Sequence, residues 1–181
     1  ANELFNENRF EEAHNICIKI LASNQDSIDT LKLLAKCLLS IGKEDQARAS
    51  LNKALLIEPN DHELIKEMGN TFQAVGDTKE ARKYYQKSLS IKSNYVPALA
   101  NLGAIELSIG NKVEAELLLK EAIHLDPNSH IAWANIANAY FQLEKLDQSE
   151  LACRKTLNLY ANYFNINLLL GKILIKNKKL N

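Results

Sequence analysis

The architecture of the whole chain can be inferred from one segment, residues 96–129, which reads VPALANLGAIELSIGNKVEAELLLKEAIHLDPNS. Apolar residues recur there at helical spacing in two runs, with Gly110 between them. The first run is Leu99, Leu102, Ile105 and Ile109, and the second is Val113, Leu117, Leu118 and Ile123. Gly110 can end a helix in the left-handed conformation, and Asp126-Pro127-Asn128 can end the next one. The segment therefore predicts two helices joined by a tight turn.

The same pattern recurs every 34 residues. The glycines form two series with this interval or twice this interval, one of Gly69, Gly103 and Gly171 and one of Gly42, Gly76 and Gly110. A ladder of alanines has the same spacing and consists of Ala13, Ala47, Ala81 and Ala115. A fixed period without insertions is the signature of a repeat architecture. We place full repeats at 28–61, 62–95, 96–129 and 130–163, and partial repeats at 1–27 and 164–181.

Small residues occur at one position of the first predicted helix in each repeat. Gly103 holds this position in repeat 96–129, and Ala35 and Ala137 hold it in repeats 28–61 and 130–163. We expect small size here to let the second helix of the repeat approach the first closely.

The repeat resembles the tetratricopeptide repeat (TPR) family, over the whole chain. The residues that carry the resemblance are Leu34, Ala35, Ala47, Ala54 and Pro59 in repeat 28–61, Met68, Gly69, Phe72, Ala81, Tyr85 and Ser88 in repeat 62–95, and Trp133, Ile136, Ala137 and Tyr140 in repeat 130–163. The resemblance implies one all-α array, a right-handed α-solenoid of antiparallel helix pairs in which neighbouring repeats bury their apolar faces together. In the second half of repeat 130–163, the family's usual residues are replaced by Ser149, Cys153, Thr156 and Ala161. We therefore expect the second helix of this repeat to pack more loosely.

The resemblance also implies a function, the binding of a peptide or protein segment in a groove lined by the first helix of every repeat. The groove positions in this chain include Lys32, Lys36, Lys66, Asn70, Asn101, Asn135 and Asn138. The groove is therefore expected to be basic at its start and rich in amides in its middle. Asn101 and Asn135 lie where O-linked N-acetylglucosamine transferases carry a ladder of asparagines. An amide can both donate to and accept from a peptide backbone, which favours binding of extended chains; ordinary solvated surface asparagines remain the alternative.

Part of a second binding motif is also present. Lys66, Asn70 and Asn101 match the first three members of the carboxylate clamp by which some co-chaperones bind a terminal carboxylate. The family pattern next requires lysine and arginine, where this chain has Ile131 and Asn135. We therefore expect a terminal carboxylate to bind weakly if at all.

No catalytic, cofactor or metal motif is found in the sequence. There is no glycine-rich phosphate loop, His-Glu-x-x-His helix or nucleophile elbow. His124, Asp126 and His130 lie close together, but their spacing fits no metal motif. The three cysteines, Cys17, Cys37 and Cys153, form no Cys-x-x-Cys pair, which favours free thiols in a reducing compartment such as the cytoplasm. We predict a non-catalytic chain that holds no cofactor or metal.

Charge and hydropathy restrict the partner further. Lys plus Arg and Asp plus Glu each number 22, so the formal net charge is +0 and nothing favours nucleic acid. The apolar runs are far shorter than the roughly 18 residues that a membrane span needs. These properties are compatible with the protein or peptide partner that the family resemblance implies.

Both ends of the sequence fall inside a repeat, and we therefore expect it to be a fragment of a longer protein. The leading hypothesis is an interaction scaffold. The main alternative is the substrate-recruiting arm of a larger enzyme, such as a glycosyltransferase. Self-association through uncapped terminal repeats is a third possibility.

Overall fold

The computed structural model describes the backbone of residues 1–180 and the side chains of residues 1–178, and every regular element in this part of the chain is an α-helix. The helices are α1 (Asn2–Asn6), α2 (Phe10–Ser23), α3 (Ile28–Ser40), α4 (Glu44–Ile57), α5 (His62–Ala74), α6 (Thr78–Ile91), α7 (Val96–Ser108), α8 (Lys112–Leu125), α9 (His130–Gln142), α10 (Leu146–Leu159) and α11 (Phe164–Leu180). The two helices predicted for residues 96–129 are confirmed as α7 and α8. Within residues 1–180, no helix combines the length and the hydropathy needed to cross a membrane.

The helices form two compact modules. The N-terminal module, Ala1–Ser93, contains α1 to α6, and the C-terminal module begins at Asn94 and contains α7 to α11. Inside each module consecutive helices pack against each other, and alternate helices also touch, α3 with α5 and α7 with α9. Short turns between packed neighbours make each consecutive pair antiparallel.

Each module has an apolar core between its helices. In the N-terminal module the core includes Leu34, Leu38, Leu51, Leu64 and Met68. In the C-terminal module the buried apolar residues include Leu99, Ile105, Leu119, Ile136 and Ile173. Burial of these side chains is the main stabilising contribution, because removing apolar surface from water dominates folding.

A left-handed residue follows the first helix of five pairs, and in the first pair this residue is Asn8, with φ of +61°. Gly42, Gly76 and Gly110 have φ of +70°, +78° and +90°, which confirms the prediction for Gly110. The amide after each glycine donates to the carbonyl five residues earlier, as Asn111 does to Glu106 at 2.8 Å, and this bond satisfies a helix-end carbonyl. Glu144 holds the same place between α9 and α10 with φ of +59°. Its residue type gives no sign of that turn, which follows only from the 34-residue interval between Gly110 and Glu144.

The small residues of the first helices lie against the second helices, as predicted for Gly103. A Cβ placed on Gly103 would lie 2.7 Å from Cγ of Leu119 on α8. In the N-terminal module a Cβ on Gly69 would meet the ring of Tyr85 on α6 in the same way. The absence of a side chain at these glycines therefore sets the distance between the paired helices.

Two features of the second helices differ from what the sequence pattern alone suggests. The inward face of α8 consists of Ala115, Leu119 and Ala122, whereas Val113 and Leu117 are exposed. Apolar residues occupy more than one face of α8, so their spacing alone could not identify the buried side.

The second of these features concerns the packing of α10. Ser149, Cys153 and Thr156 are fully buried, and Ser149 Oγ donates to the carbonyl of Ala137 on α9 at 2.7 Å. The packing at these positions is not loosened, because the hydroxyl hydrogen bond joins the two helices where the family has an alanine.

Candidate functional site

The predicted groove residues lie on the first helices of their pairs. Lys32 and Lys36 belong to α3 and Lys66 and Asn70 to α5, all in the N-terminal module. Asn101 belongs to α7, and Asn135 and Asn138 to α9, in the C-terminal module. The two modules therefore carry two separate sets of candidate residues.

In the N-terminal module the lysines meet carboxylates rather than open solvent. Lys32 Nζ lies 2.9 Å from Oε2 of Glu63, and Lys36 Nζ lies 3.4 Å from Oε1 of Glu63 and 3.3 Å from Oε1 of Glu67. Lys66 Nζ lies 2.5 Å from Oε1 of Glu67. We call these five residues the lysine–glutamate cluster.

The centre of the cluster is buried. Glu67 is 3% exposed and Lys66 is 7% exposed. Charged groups are tolerated at such depth only when they are paired and hydrogen-bonded. Asn70 Nδ2 supplies a further bond by donating to Oε2 of Glu67 at 2.7 Å.

The outer pair of the cluster is electrostatically coupled. Burial alone would raise the pKa of Glu63, but the hydrogen bond from Lys32 and the charges of Lys32 and Lys36 outweigh it, so this pKa lies below its ordinary value. Burial likewise works against the charged form of Lys32, and the bond to Glu63 outweighs it and raises the pKa of Lys32. Both groups are therefore held in their charged forms at neutral pH.

The cluster changes the interpretation of the groove in this module. The sequence predicted a basic surface, whereas Glu63 and Glu67 neutralise most of the charge of the three lysines. Lys66 and Asn70, two of the three residues that resemble a carboxylate clamp, are both bonded to Glu67. An incoming carboxylate would have to compete with Glu67 for them, which agrees with the expectation of weak binding.

Glu63 is the residue that sequence reasoning missed. It lies in the first turn of α5, and its partner Lys32 is 31 residues away on α3. The available signal was the position of Glu63 four residues before Glu67, which puts both carboxylates on the same side of α5.

In the C-terminal module Asn101, Asn135 and Asn138 form what we call the amide patch. α7 and α9 pack directly against each other. Asn135 Nδ2 donates to the carbonyl of Ala100, the neighbour of Asn101, at 3.1 Å. Asn138 Nδ2 donates to the carbonyl of Ala134 at 3.0 Å, within its own helix. Hydrogen bonding through nitrogen directs the amide oxygens of these side chains away from the bonded carbonyls, where they can accept from another chain.

Small residues surround the amide patch. Ala100 and Ala134 are buried and Ala104 is half-buried, while Asn101 and Asn135 are half-buried and Asn138 is exposed. Short side chains between the asparagines allow the backbone of an extended peptide to approach the helices closely.

The histidines and cysteines considered for metal binding or catalysis lie in surroundings that do not suit either role. Among the described residues no three or more His, Cys, Asp and Glu side chains are grouped as metal ligands. His130 stacks on the ring of Tyr160, with centroids 5.2 Å apart. Burial raises the pKa of the Cys37 and Cys153 thiols to about 11, so both are protonated at neutral pH and unsuited to nucleophilic attack.

The chain is similar in sequence to known proteins. Residues 31–161 match the family model of the cilia and flagella-associated protein 70 middle TPR-like domain. A curated relative, the rhomboid protease GluP of Bacillus subtilis (strain 168), is 39% identical over 62 residues. The aligned stretch covers 34% of this chain and 12% of GluP, so the likeness concerns a small part of that protein.

Solved structures share the fold. A chain of the APC/C hetero-tetramer Cut9–Hcn1 superposes with a TM-score of 0.91 and 20% identity, covering 97% of this chain and 35% of that chain. The first TPR of Spaghetti (RPAP3), bound to the HSP90 peptide SRMEEVD, superposes with a TM-score of 0.62 and 23% identity, covering 65% of this chain and 94% of that chain. These likenesses confirm the predicted all-α fold built from TPR helix pairs.

Proposed function

Because this chain belongs to the cilia and flagella-associated protein 70 middle TPR-like domain family, we propose that it is a protein-interaction scaffold that binds an extended peptide or partner segment. The amide patch is the proposed binding site in the C-terminal module. The lysine–glutamate cluster is the proposed site in the N-terminal module.

The hydrogen bond from Asn135 to Ala100 is the observation that carries the proposal. It fixes the amide of Asn135 at 3.1 Å from a helix backbone and so orients its oxygen before any ligand arrives. An oriented acceptor loses less side-chain entropy on binding than a mobile one does. A site built from amides and alanines contacts the peptide backbone, and it therefore tolerates many side chains.

The lysine–glutamate cluster contributes selectivity in this proposal. Its charges are internally paired, so a strongly acidic segment gains little from the lysines and is opposed by Glu63 and Glu67. Segments of mixed or low charge are the partners that suit it. Terminal carboxylates are disfavoured for the same reason.

Two structural relatives support a scaffold. The RPAP3 repeat was solved with a bound peptide, and Cut9 was solved in a hetero-tetramer with Hcn1. Both are assemblies of polypeptides, which is the class of partner proposed for this chain.

Binding to an array of random-sequence dodecapeptides tests the proposal. Asn101→Ala and Asn135→Ala, separately and together, are expected to lower the signal of most bound peptides, whatever their side chains. Asn158→Ala is the matched control, because it removes an exposed asparagine from α10, a second helix. Thermal unfolding of each variant separates loss of binding from loss of folding. Equal binding by the wild type and the three amide-patch variants would overturn the role of the amide patch.

The second candidate function is the recruiting arm of a larger enzyme. The likeness to 12% of the rhomboid protease GluP favours it, since that enzyme contains a stretch similar to this chain. A catalytic domain in the same open reading frame would support this candidate. A reading frame that encodes only further repeats would contradict it.

A further inference from the structure

The amide patch lies within two strips of uncharged side chains, one on α7 and one on α9. In each strip, partly or fully exposed residues follow the first at spacings of four, seven and eleven, which places them along one side of the helix. The strip of α7 consists of Pro97, Asn101, Ala104 and Ser108, and the strip of α9 consists of Ile131, Asn135, Asn138 and Gln142. We call them the uncharged strips.

The absence of charge is a property of these two helices and not of the repeat. The same four positions hold Glu63, Glu67, Asn70 and Ala74 in α5, and Asp29, Leu33, Lys36 and Ser40 in α3. A charged ligand side chain placed over the uncharged strips would lose water without gaining an opposite charge. The strips therefore favour ligand residues that carry no charge.

Each uncharged strip begins with an apolar residue. Ile131 is 45% exposed and lies one turn before Asn135, and the exposed Pro97 lies one turn before Asn101. Residues four apart are neighbours on the surface of a helix. A ligand whose backbone meets an asparagine of the patch can therefore place a side chain on the apolar residue beside it.

The distance between α7 and α9 indicates the period of the ligand. The two helices pack directly, and Asn135 Nδ2 on α9 reaches the carbonyl of Ala100 on α7 at 3.1 Å. The axes of packed helices lie about 8–10 Å apart. A polyproline II helix advances about 9 Å in each turn of three residues, whereas a β-strand presents the same face at intervals of about 6.7 Å. The polyproline II conformation is the one that presents equivalent residues to both strips.

The hydrogen bonds available at the patch agree with this conformation. A polyproline II segment has no internal hydrogen bonds, so its backbone N–H groups can donate to a binding site. The side-chain amide of Asn135 is bonded through its nitrogen, and its oxygen can accept such a bond.

Taking the proposed function of the amide patch as the premise, we propose that its ligand is an uncharged polyproline II segment with an apolar side chain at every third residue. One apolar side chain contacts Ile131, and the next, three residues along, contacts Pro97. A backbone N–H between them donates to Oδ1 of Asn135, so the residue that supplies it is not proline.

The probe for the test is a fluorescent peptide made of three copies of leucine–alanine–proline. Proline favours the conformation, and leucine recurs at every third residue. Two control peptides carry glutamate or lysine in place of every alanine. A third control rearranges the residues of the probe so that leucine occupies its first, third and fifth positions. Fluorescence anisotropy against the whole chain reports the affinity.

The probe is expected to bind, and each control peptide is expected to bind at least about tenfold more weakly. Ile131→Ala is expected to weaken binding of the probe about fivefold, because it removes the apolar contact. Leu151→Ala is the matched control, because it removes a side chain that is 67% exposed on α10, and it is expected to change binding less than about twofold. Thermal unfolding of both variants verifies that they fold.

Absence of binding by the probe, equal binding by a control peptide, or equal effects of Ile131→Ala and Leu151→Ala would overturn this proposal. Random-sequence peptides whose binding still requires Asn135 would then leave the proposed function standing. If Asn135→Ala binds those peptides and the probe as the wild type does, the proposed function fails together with this inference.

Discussion

The ring of Tyr85 occupies the space in which Gly69 would otherwise carry a side chain, with Cε1 only 2.6 Å from the place of a Cβ. Tyr85 is fully buried, and its hydroxyl lies 2.8 Å from Oδ1 of Asn70 and 2.5 Å from Oε1 of Gln73. The ring therefore cannot move aside without breaking these bonds. Because Gly69 has no side chain, α6 packs closely enough on α5 for the hydroxyl of Tyr85 to bond Asn70, a candidate binding residue.

Gly69→Ala is expected to lower the free energy of unfolding by about 1–2 kcal/mol, because overpacking outweighs the better helix propensity of alanine. Gly171→Ala is expected to raise it by about 0.5–1 kcal/mol, because the same propensity gain meets no steric cost. Urea unfolding of both variants measures the difference. Equal effects of the two substitutions would contradict the assigned contact.

Glu144→Gly is expected to stabilise the protein by about 1 kcal/mol, because Glu144 adopts φ of +59°, which costs a residue with a Cβ about 1–2 kcal/mol. Glu144 also pairs with Lys176 at the surface, so Glu144→Ala is the control that removes the ion pair and keeps the backbone cost. The stability difference between the glycine and alanine variants, measured by thermal unfolding, isolates the backbone effect. An alanine variant as stable as the glycine variant would argue against backbone strain at this turn.

Glu67→Ala is expected to destabilise the protein by about 3 kcal/mol, because it leaves the buried ammonium of Lys66 without its nearest carboxylate. The double variant Lys66→Met, Glu67→Leu is expected to recover much of that loss, because no unpaired charge remains. Glu80→Ala removes the partner of the exposed Lys83 and should cost much less than Glu67→Ala, because solvent screens an exposed ion pair. Denaturant unfolding of the three variants checks this order. A double variant less stable than Glu67→Ala would show that the pair itself stabilises the fold.

Acid is expected to remove the stabilisation that Glu63 provides. Its pKa is lower in the folded protein than in the unfolded chain, so its contribution is present above the ordinary glutamate pKa and is lost as the pH falls through the folded value. Lys32 has a raised pKa, so its contribution is present below the ordinary lysine pKa and is lost only as the pH rises through the folded value. Because both side chains are partly exposed, we expect an effect of about 1 kcal/mol or less.

Unfolding of the wild type and Glu63→Gln between pH 7 and pH 2.5 measures this effect. The stability difference between them is expected to be constant near neutrality and to shrink below about pH 4.3. A difference that grows on acidification would mean that the carboxylate of Glu63 is destabilised in the folded state.

The fold could be predicted from the sequence because its determinants recur at a fixed interval. Gly76 and Gly110 are favoured where the backbone is left-handed, and Gly103 is required where Leu119 approaches, so sequence reasoning can interpret the residue type at each of these positions. Glu144 adopts the same backbone conformation without glycine. The turn it forms was therefore not indicated by its own residue type.

The candidate site was less predictable, because its properties depend on contacts between helices. Lys32 and Lys36 indicate a basic groove until Glu63, on another helix, is placed beside them. Asn135 indicates an amide at the surface, but its bond to the carbonyl of Ala100 depends on the packing of α9 against α7. Residue type indicated which helices carry the candidate site. The net charge of that site depends on which side chains the packing of the helices brings together.

Chemical-shift mapping in the C-terminal module tests the central claim most directly. The peptide that binds best to the array is added to ¹⁵N-labelled protein, and the side-chain amide signals of Asn101, Asn135 and Asn138 are followed with those of Asn158 as an internal control. We predict that the three signals of the amide patch shift on binding while Asn158, on α10, does not. Shifts confined to the second helices α8 and α10, with the amide patch unchanged, would contradict a binding site on α7 and α9.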